Sequence, residues 1–486
     1  MRAVQNKDGG AGPAAPLVVR DPAMRRAGAL LRGPALICSP ESTVREAAEL
    51  MTREGRRYVI VPLTGGSHGI FTDGDLRRRV VAAGLGTHTP VSAVMTAPAR
   101  TVPADRLGAD VLMDMLERGV RHMPVLSETG ALLGVLEDGD LLATATRSGF
   151  LLRAAVARAA TPDALIAATA QVPELVLGLW RARVAPLDVS AILSVIVDAA
   201  AARALHLETR TARSGRTPFT WLSLGSVARR EAMPGSDVDS ALVWADDDQR
   251  PDTDTELMAT AARVHRLLDR CGFPSDEKGA TAARPRFARS AGAWMQAADQ
   301  WIADPYEDKG ILMISLLTDS RVTRGDDGLD LSAPVSARTR ATPSAMKLLL
   351  REAVEEKVRI HSLRQVLTRR TDSVNLKSQG VMPIVNIARW AGLAAGLGAE
   401  STPARLQAAA DTGLLPDDDA RILAESFDVL QQIRLRHQCE QLEQGLPVTD
   451  ELTIASLTPL YRSLLANAVR EIAGVQRKLA YAGPGA

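Results

Sequence analysis

The sequence predicts a multi-domain protein of mixed class, with α/β parts followed by an all-helical part. Three patterns predict it. An internal repeat with alternating helix and strand patterns lies near the start of the chain, and long amphipathic helical patterns run from Ser344 onward. Between them, glycine and proline punctuate a segment that leads into a strand-like alternation over 237–244. The 486 residues suffice for about three domains of roughly 100–200 residues each.

Composition and charge narrow the class of partner. Hydrophobic residues make up 46% and charged residues 24% of the chain, which is typical of a globular protein. The formal net charge is +1, so no broad basic field favours nucleic acid or an anionic membrane, and neither is predicted as a partner. No uninterrupted apolar run reaches the ~18 residues of a membrane span. The three cysteines form no CxxC pair, which predicts free thiols and a cytoplasmic location rather than a zinc site.

A duplicated segment follows a predicted disordered tail over 1–28. Gly69–Leu76 reappears 65 residues later as Gly134–Leu141, and Gly55–Val61 matches Gly119–Val125 at an offset of 64. Each copy shows the pattern of a helix, a short apolar strand, a turn, a second strand and a second helix. Two such copies are expected to pack as one unit, each supplying half of the core.

The first copy contains a short motif over Gly69–Asp75, in which glycine, two hydrophobic residues and threonine are followed by two residues and an aspartate. This motif resembles that of cystathionine-β-synthase (CBS) domains, so residues 29–148 are predicted to form a tandem CBS pair. The resemblance implies that an adenine nucleotide effector binds in a cleft between the copies, and that the chain forms a homodimer through the pair. A pure dimerisation scaffold without a ligand is the alternative.

The same resemblance assigns ligand-binding positions within the pair. It places the ribose hydroxyls on Asp75 and Asp140, and the phosphate near Thr72. In the second copy, Glu137 stands where the first copy has this threonine. A carboxylate there would repel phosphate, so we expect at most one competent cleft, or a ligand of lower charge.

The next segment is predicted to be a helical connector over 149–210. It is rich in alanine and leucine, and Pro173 and Pro186 divide it into at least three helices.

A glycine-serine turn and a later pair of aspartates point to triphosphate chemistry. Gly225 and Ser226 open a helix, where free backbone N–H groups and a hydroxyl would hold phosphate oxygens. Asp237 and Asp239 are two apart on a strand, so their side chains share a face. Two like charges side by side are costly unless a cation lies between them. We therefore predict a triphosphate site at the turn and Mg²⁺ (or Mn²⁺) at the aspartates. A surface turn followed by a half-buried strand is the alternative.

This constellation resembles the DNA polymerase β superfamily of nucleotidyltransferases. From about Phe150 to the end of the chain, it is more narrowly similar to nucleotidyltransferases related to PII-protein uridylyltransferase. The motifs that carry the narrower resemblance are Phe219–Ser226, Arg229, Glu231, Cys271–Pro274, Trp294, Trp301–Ile302, Asp319–Arg321, Gly325–Asp326, Asn375–Lys377 and Gly380–Val385. The resemblance implies a nucleotidyltransferase domain over 211–335 and a helical substrate-binding domain over 340–486.

The resemblance also implies a reaction. A nucleoside monophosphate would pass from a nucleoside triphosphate to a hydroxyl acceptor, such as a protein tyrosine, with release of pyrophosphate. It implies a third catalytic and metal-binding carboxylate beside the aspartate pair. Asp319, near the end of a strand predicted over 311–322, is the candidate, and Asp326 in the following turn is the weaker alternative. Arg229 and Lys377 are expected to contact the triphosphate.

One residue departs from the family pattern. Asn375 stands where the family tends to have an aspartate, and it cannot supply that charge. This leaves open a non-catalytic protein that binds a nucleotide and signals by shape. An RNA-tailing transferase is a third alternative, but the near-zero net charge and the 3% aromatic content disfavour an RNA-binding track. No histidine is adjacent to an aspartate, so the His-Asp hydrolase of full PII uridylyltransferases is not expected.

Overall fold

The computed structural model describes residues 26–106, 108–138, 144–209, 218–246, 253–276, 278–325, 327–355, 373–398 and 400–482. The chain divides into two compact units, Met1–Ala143 and Thr144–Ala486. Most of the predicted tail, together with Asp140 and Asp326, lies outside the described residues. At the predicted end of the tail, Ala27 is buried and its amide donates to the carbonyl of Arg106, so the folded part begins earlier than expected.

The first unit contains the two copies of the repeat. The first copy comprises α1 (Val44–Arg53), β1 (Tyr58–Pro62), β2 (His68–Thr72) and α2 (Asp73–Asp75), which a wider helical turn continues over Leu76–Val81. The second copy comprises β3 (Val102–Pro103), α3 (Gly108–Arg118), β4 (His122–Leu126) and β5 (Leu132–Glu137). Strand β1 pairs antiparallel with β2, β4 pairs antiparallel with β5, and β3 runs parallel to β4. This order confirms the α/β class predicted for the repeat.

Strand β1 shows why the two copies need each other. Successive residues of a strand face opposite sides, and Tyr58–Val61 are all buried. Val59 and Val61 pack with α1 in the core of their own copy. Tyr58 and Ile60 pack instead in a second core that includes Val135 of the other copy. Each face of the strand is therefore covered by a different copy of the repeat.

The second unit is mainly helical. Its elements are α4 (Thr144–Arg158), α5 (Pro162–Thr169), α6 (Val172–Arg181), α7 (Pro186–Thr209), β6 (Phe219–Ser223), α8 (Gly225–Ala228), β7 (Ser240–Trp244), α9 (Thr253–Arg270), β8 (Ala288–Ser290), α10 (Ala291–Ala303), α11 (Gly310–Thr318), β9 (Arg321–Arg324), α12 (Ser332–Ala341), α13 (Pro343–Glu355), β10 (Ser373–Asn375), α14 (Met382–Ala394), α15 (Thr402–Asp411), α16 (Asp417–Glu443), β11 (Glu451–Thr453) and α17 (Pro459–Ala482). One sheet has the strand order β8-β7-β6-β9, in which β7 is antiparallel to β6 and parallel to β8. Strand β9 lies antiparallel on the other side of β6.

The prediction of a strand over 311–322 is wrong for most of that range. The structure places Gly310–Thr318 in helix α11, and only Arg321–Arg324 forms a strand. A short, continuous apolar run fits a buried helix and a buried strand equally well, so periodicity could not separate them. Helix α11 buries Met313 and Leu317 in the core that covers one face of the sheet.

The segment predicted as a connector is helical, as expected, but it belongs to the second compact unit. Within the described residues, α7 is also the one helix long and apolar enough to cross a membrane by length and composition. The helix is not an uninterrupted apolar run, because Asp198 lies within it. However, 72% of its most apolar window is buried inside the fold, as in the core helix of a domain. The predicted connector is thus part of the domain that follows it.

The C-terminal helices pack around one apolar core, which includes residues of α14, α15, α16 and α17. Helices α14 and α15 approach closely where α14 has Gly392. A Cβ atom on Gly392 would lie 2.6 Å from Cγ and 2.9 Å from Cβ of Arg405 on α15. The absence of a side chain at this position therefore sets the spacing of the two helices and the path of the Arg405 side chain.

We expect Gly392→Ala to lower the free energy of unfolding by about 1–3 kcal/mol, because the added methyl group overpacks this contact. Alanine is otherwise the better helix former by about 0.5–1 kcal/mol. Gly474→Ala in α17 is the control, because the nearest atom to its added Cβ is 4.0 Å away. This control should show the ordinary stabilisation. Urea unfolding of both variants measures the difference, and equal stabilisation by both would contradict the predicted close contact.

Candidate nucleotide and metal site

The predicted phosphate-binding turn follows strand β6 and is held against Asp239. Gly225 adopts a φ of +58°, a left-handed conformation that favours glycine. An added Cβ at this position would lie 2.7 Å from Oδ2 of Asp239. The amide of Leu224 donates to the carbonyl of Asp239 at 3.0 Å. The turn and the aspartate strand can approach this closely only because residue 225 is glycine.

The aspartate pair lies in extended chain just before β7. Val238 forms a parallel bridge with Ser275, so the residues that follow them, Asp239 and Asp276, are register neighbours. Asp237, Asp239 and Asp276 are all half-buried. The structure therefore puts a third carboxylate beside the pair, and it is Asp276 rather than Asp319. The sequence signal was present, since Asp276 lies two residues after the Cys271–Pro274 motif, but no pattern in the sequence pairs that loop with the aspartate strand.

The electrostatics of Asp239 reflect this crowding. Burial is the largest cause that raises the pKa of Asp239, and the neighbouring charges of Asp276 and then Asp237 raise it further, to about 7. The cations of Lys377 and Arg229 act in the opposite direction. The site therefore disfavours full ionisation of its carboxylates unless further positive charge is supplied, which is the condition that a divalent cation meets.

Lys377 comes from the C-terminal part of the chain and lies close enough to Asp239 for its charge to lower the pKa of that carboxyl. The structure thus brings Gly225, Ser226, Asp237, Asp239 and Lys377 to one place. Their roles in binding triphosphate or metal stay predictions.

Asn375 has a structural explanation. Its Oδ1 accepts hydrogen bonds from the amide and the hydroxyl of Ser378, at 2.9 and 3.0 Å, and so caps the turn that carries Lys377. Its Nδ2 donates to Oε1 of Glu451 across the β10–β11 pair, at 2.9 Å. An aspartate could make the first contacts, but it would place a second carboxylate against Glu451. The amide at this position is thus accounted for by local packing.

Asp319, predicted as the third metal ligand, is the clearest correction. Its side chain is completely buried among three arginines. Oδ2 accepts from Arg229 Nη1 at 2.6 Å and from Arg389 Nη2 at 2.7 Å, and Oδ1 lies 2.6 Å from Arg405 Nη1. Burial raises the pKa of Asp319, but the three guanidinium groups outweigh it and hold the pKa well below its usual range. A carboxylate already neutralised and enclosed in this way is not available to a metal ion.

Arg229, predicted to contact the triphosphate, is corrected for the same reason. It is 6% exposed, and its Nε donates to Glu231 at 2.8 Å while Nη1 donates to Asp319. Glu231 in turn accepts from the amide of Thr402 at 2.6 Å. These contacts join the turn to α14 and α15. Arg229 therefore stabilises the position of the turn.

No ready-made metal cluster is present within the described ranges, in the sense of three or more carboxylate, imidazole or thiol groups placed to hold one ion. The prediction of Mg²⁺ or Mn²⁺ rests instead on the aspartate pair with Asp276 beside it. Burial first, and then the charges of Asp276 and Asp237, raise the pKa of Asp239, and positive charge beside it would favour its ionised form. A cation bound here would need further oxygen ligands, which the phosphates of a nucleotide can supply.

A cavity of about 430 Å³ lies on the other side of the aspartate strand. Val238 lines it, together with apolar residues of α7 such as Leu193 and Val197, but neither Asp237 nor Asp239 does. Side chains alternate along an extended chain, so the cavity and the carboxylates are on opposite faces. It is therefore separate from the candidate site.

In the first unit, Thr72 and Asp75 form a capping box at the start of α2. The Thr72 hydroxyl donates to Asp75 Oδ2 at 2.7 Å, and its amide donates to the same oxygen at 3.1 Å. Asp75 is 4% exposed. Both side chains are thus engaged with each other, so their proposed contacts to phosphate and ribose require this box to open. The matching Asp140 lies outside the described residues. Glu137, at the position of Thr72 in the second copy, lies 3.6 Å from Arg56 of the first.

Comparison with known proteins agrees with this division of the chain. Residues 27–82 and 91–146 each match the CBS domain family. Residues 170–308 match the family described as "Putative nucleotidyltransferase DUF294", and residues 343–482 match its "Putative nucleotidyltransferase substrate binding domain". The CBS domain-containing protein YhcV of Bacillus subtilis (strain 168) is 31% identical over 103 residues, which are 21% of this chain and 73% of YhcV. The chain belongs to the CBS-domain proteins. In this CBS-domain protein, the pair precedes a domain of the nucleotidyltransferase family and its substrate-binding domain.

Other similar proteins match the CBS repeats alone. The CBS domain-containing protein CBSCBSPB2 of Arabidopsis thaliana is 38% identical over 107 residues, which are 21% of this chain but 19% of that protein. A solved structure of a putative signal-transduction protein with CBS domains from Burkholderia ambifaria MC40-6 is 31% identical. It covers 23% of this chain and 80% of that one, with a TM-score of 0.21. These matches say nothing about the second unit.

The buried contacts of Asp319 with three arginines should stabilise the fold of this CBS-domain protein. We expect Asp319→Asn to lower the free energy of unfolding by about 3–5 kcal/mol, because it leaves three buried guanidinium groups without their carboxylate. Since the folded pKa of Asp319 is lowered, its stabilisation is present above the unfolded pKa of about 3.9 and is lost as the pH falls towards the folded value. Denaturant unfolding at neutral pH measures the loss.

Asp299→Asn is the control for this substitution. Asp299 pairs with Arg338 at 3.0 Å, but both side chains are largely exposed. Its loss should change the free energy of unfolding by less than about 1 kcal/mol. A loss of stability no larger for Asp319→Asn than for this control would show that the cluster does not hold the fold.

Proposed function

We propose that the second unit transfers a nucleoside monophosphate from a nucleoside triphosphate to a hydroxyl group, with release of pyrophosphate. The observation that carries this proposal is the contact of the Gly225 turn with Asp239, where Asp237 and Asp276 lie alongside. This arrangement sets phosphate-binding backbone next to clustered carboxylates. The match to a nucleotidyltransferase family supports the same reaction class.

Each residue of the candidate site has a distinct role in the proposed reaction. The backbone amides of Gly225 and Ser226 and the Ser226 hydroxyl hold phosphate oxygens of the bound triphosphate. Lys377 adds a positive charge from the substrate-binding domain, on the side of Asp239. Asp237 and Asp239, with Asp276 beside them, would hold Mg²⁺ or Mn²⁺, which when bound neutralises the phosphates and orients the reacting groups.

The acceptor and the regulator of this reaction are proposed from resemblance. A hydroxyl on a protein side chain, such as a tyrosine, is the proposed acceptor, as in PII-protein uridylyltransferase. An adenine nucleotide at the CBS pair is the proposed effector. The coupling free energy between an effector site and a second site is typically about 1–3 kcal/mol. Homodimerisation through the pair and a cytoplasmic location belong to the same proposal.

The non-catalytic alternative loses its main support. It rested on Asn375, and the contacts of that side chain with Ser378 and Glu451 explain the amide by packing. The RNA-tailing alternative requires a basic track for the acceptor strand. The net charge of +1 disfavours it.

We expect Asp237→Asn and Asp239→Asn each to reduce Mg²⁺-dependent release of pyrophosphate to below about one hundredth of the wild-type rate, because charge stabilisation by the cation is worth several kcal/mol. Asp276→Asn should also reduce it, by a smaller factor. Asp163→Asn, which alters an exposed aspartate of α5, is the control. Each triphosphate is tested in turn, and wild-type rates in the first two variants would refute the proposed site.

The same variants have a readout that needs no turnover. Because the folded pKa of Asp239 is raised to about 7 from 3.8, the metal-free wild type should lose stability as the pH rises between these values. Asp239→Asn lacks this titration, so its thermal unfolding should depend less on pH over this range. Identical pH profiles for wild type and variant would contradict the charge crowding inferred for the site.

The regulatory part of the proposal predicts a gain in affinity. Glu137→Gln should tighten the binding of ATP by about fivefold, since it removes roughly 1 kcal/mol of repulsion and releases Arg56. Glu128→Gln, at an exposed position of the same unit, is the control and should leave affinity unchanged. Isothermal titration calorimetry with AMP, ADP and ATP measures the effect. Absence of binding to wild type and to both variants would identify the pair as a scaffold.

A further inference from the structure

Helix α7 is apolar along most of its length but carries three buried polar side chains, Ser190, Ser194 and Asp198. They are four residues apart and therefore lie on one face of the helix. A buried polar group is costly unless it is hydrogen-bonded, so the partners of this polar face indicate its purpose. These three residues form the polar face of α7.

All three residues contact the chain that surrounds the phosphate-binding turn. The Ser194 hydroxyl accepts from the amide of Ala232 at 3.1 Å and donates to the carbonyl of Ser190 at 2.7 Å. The Ser190 hydroxyl lies 3.7 Å from Sδ of Met233. Ala232 and Met233 connect the turn to the aspartate strand. The polar face is thus directed at the segment between the two halves of the candidate site.

Asp198 makes the largest number of these contacts. Its Oδ1 accepts from the hydroxyls of Ser223 and Thr323, at 2.8 and 3.2 Å. Its Oδ2 accepts from Arg230 Nη1 at 2.7 Å and from Nη2 of Arg321. One carboxylate therefore joins the end of β6, strand β9 and Arg230, the second residue after α8.

The two arginines act on the turn itself. Arg321 Nε donates to the carbonyl of Ala228, the last residue of α8, at 3.2 Å. Arg230 has a φ of +65°, which is unfavourable for a residue with a side chain. Such a conformation persists where the surroundings determine it. The bond from its guanidinium to Asp198 supplies that restraint.

We propose that Asp198 is a positioning residue for the phosphate-binding turn. It holds Arg230 in the left-handed conformation and Arg321 at the carbonyl end of α8, and so keeps Gly225 in contact with Asp239. The inference deepens the proposed function, on which its kinetic consequences rest. It also gives the helix once predicted as a connector a direct part in the site, without contact to the reacting atoms.

Loss of the carboxylate should act mainly on triphosphate binding. We expect Asp198→Ala to raise the KM for the triphosphate about tenfold or more, as for lost hydrogen bonds to charged groups, with a smaller change in kcat. Asp198→Asn keeps the acceptor for Ser223 and Thr323 but loses the charge, so its effect should be intermediate. The decisive variant is Asp198→Ala combined with Arg230→Gly. Glycine adopts this φ without strain, so the double variant should recover much of the lost affinity.

Hydrogen exchange tests the same inference without any activity. The amides of residues 229–231 donate to the carbonyls of 225–227 within the turn. Asp198→Ala should make them exchange faster than in wild type, and Arg230→Gly in that background should slow them again. Ile196→Val, at a fully buried position of the same helix, is the control for general loss of stability and should leave these amides protected.

The outcomes separate the two proposals. Equal exchange in Asp198→Ala and in the Ile196→Val control, or no recovery in the double variant, would overturn the positioning role. If the wild type releases no pyrophosphate from any triphosphate, the proposed function fails, and the exchange comparison still decides the role of Asp198.

Discussion

The carboxylate of Asp319 lies among three buried guanidinium groups, and the placement of the candidate site depends on this cluster. Arg229 directly follows helix α8 of the Gly225 turn, whereas Arg389 and Arg405 come from α14 and α15. Removing one partner of such a cluster leaves uncompensated charge in a region of low dielectric. The cluster therefore fixes the turn to the substrate-binding helices, and through them it sets where Lys377 can reach. Gly392 contributes to the same arrangement, because its missing side chain leaves room for Arg405.

Charge is distributed around the site in a consistent way. Asp237, Asp239 and Asp276 lie close together beside the turn, and burial of Asp239, followed by the charges of Asp276 and Asp237, raises its pKa. The carboxylate of Asp319 is surrounded by arginines, and that of Asp198 by arginines and hydroxyls. Positive charge added at the first set would favour its ionised form, whereas the second set already has arginine partners. This difference separates carboxylates that can serve a ligand from those that hold the fold.

The sequence was sufficient where a signal is local. The repeat predicted two copies sharing a core, and β1 shows the reason, since Tyr58 and Val59 face different copies. The Gly225 turn and the aspartate pair were also predictable, because spacing along one strand and one turn decides their geometry. Their approach to each other, at the Gly225–Asp239 contact, was visible only in three dimensions.

The sequence was insufficient where a role depends on distant partners. Asp319 and Asp276 are both acidic residues near apolar segments, and nothing local shows that the first meets three arginines while the second is paired with the aspartate strand. The helix over 310–318 was mistaken for a strand because burial on all sides removes the periodicity. The composition of α7 predicts only a helix of the connector, because its partners at Ser190, Ser194 and Asp198 are distant in sequence.

The central claim is that cation and triphosphate bind at Asp237 and Asp239, while Asp319 is a structural carboxylate. The most direct test is a crystal structure of the full chain with Mn²⁺ and a non-hydrolysable nucleoside triphosphate, using the anomalous signal of manganese. The account predicts a manganese peak beside Asp237 and Asp239, phosphates at the Gly225 turn, and Asp319 still bonded to its arginines. A manganese peak at Asp319, or a triphosphate bound away from the turn, would contradict it.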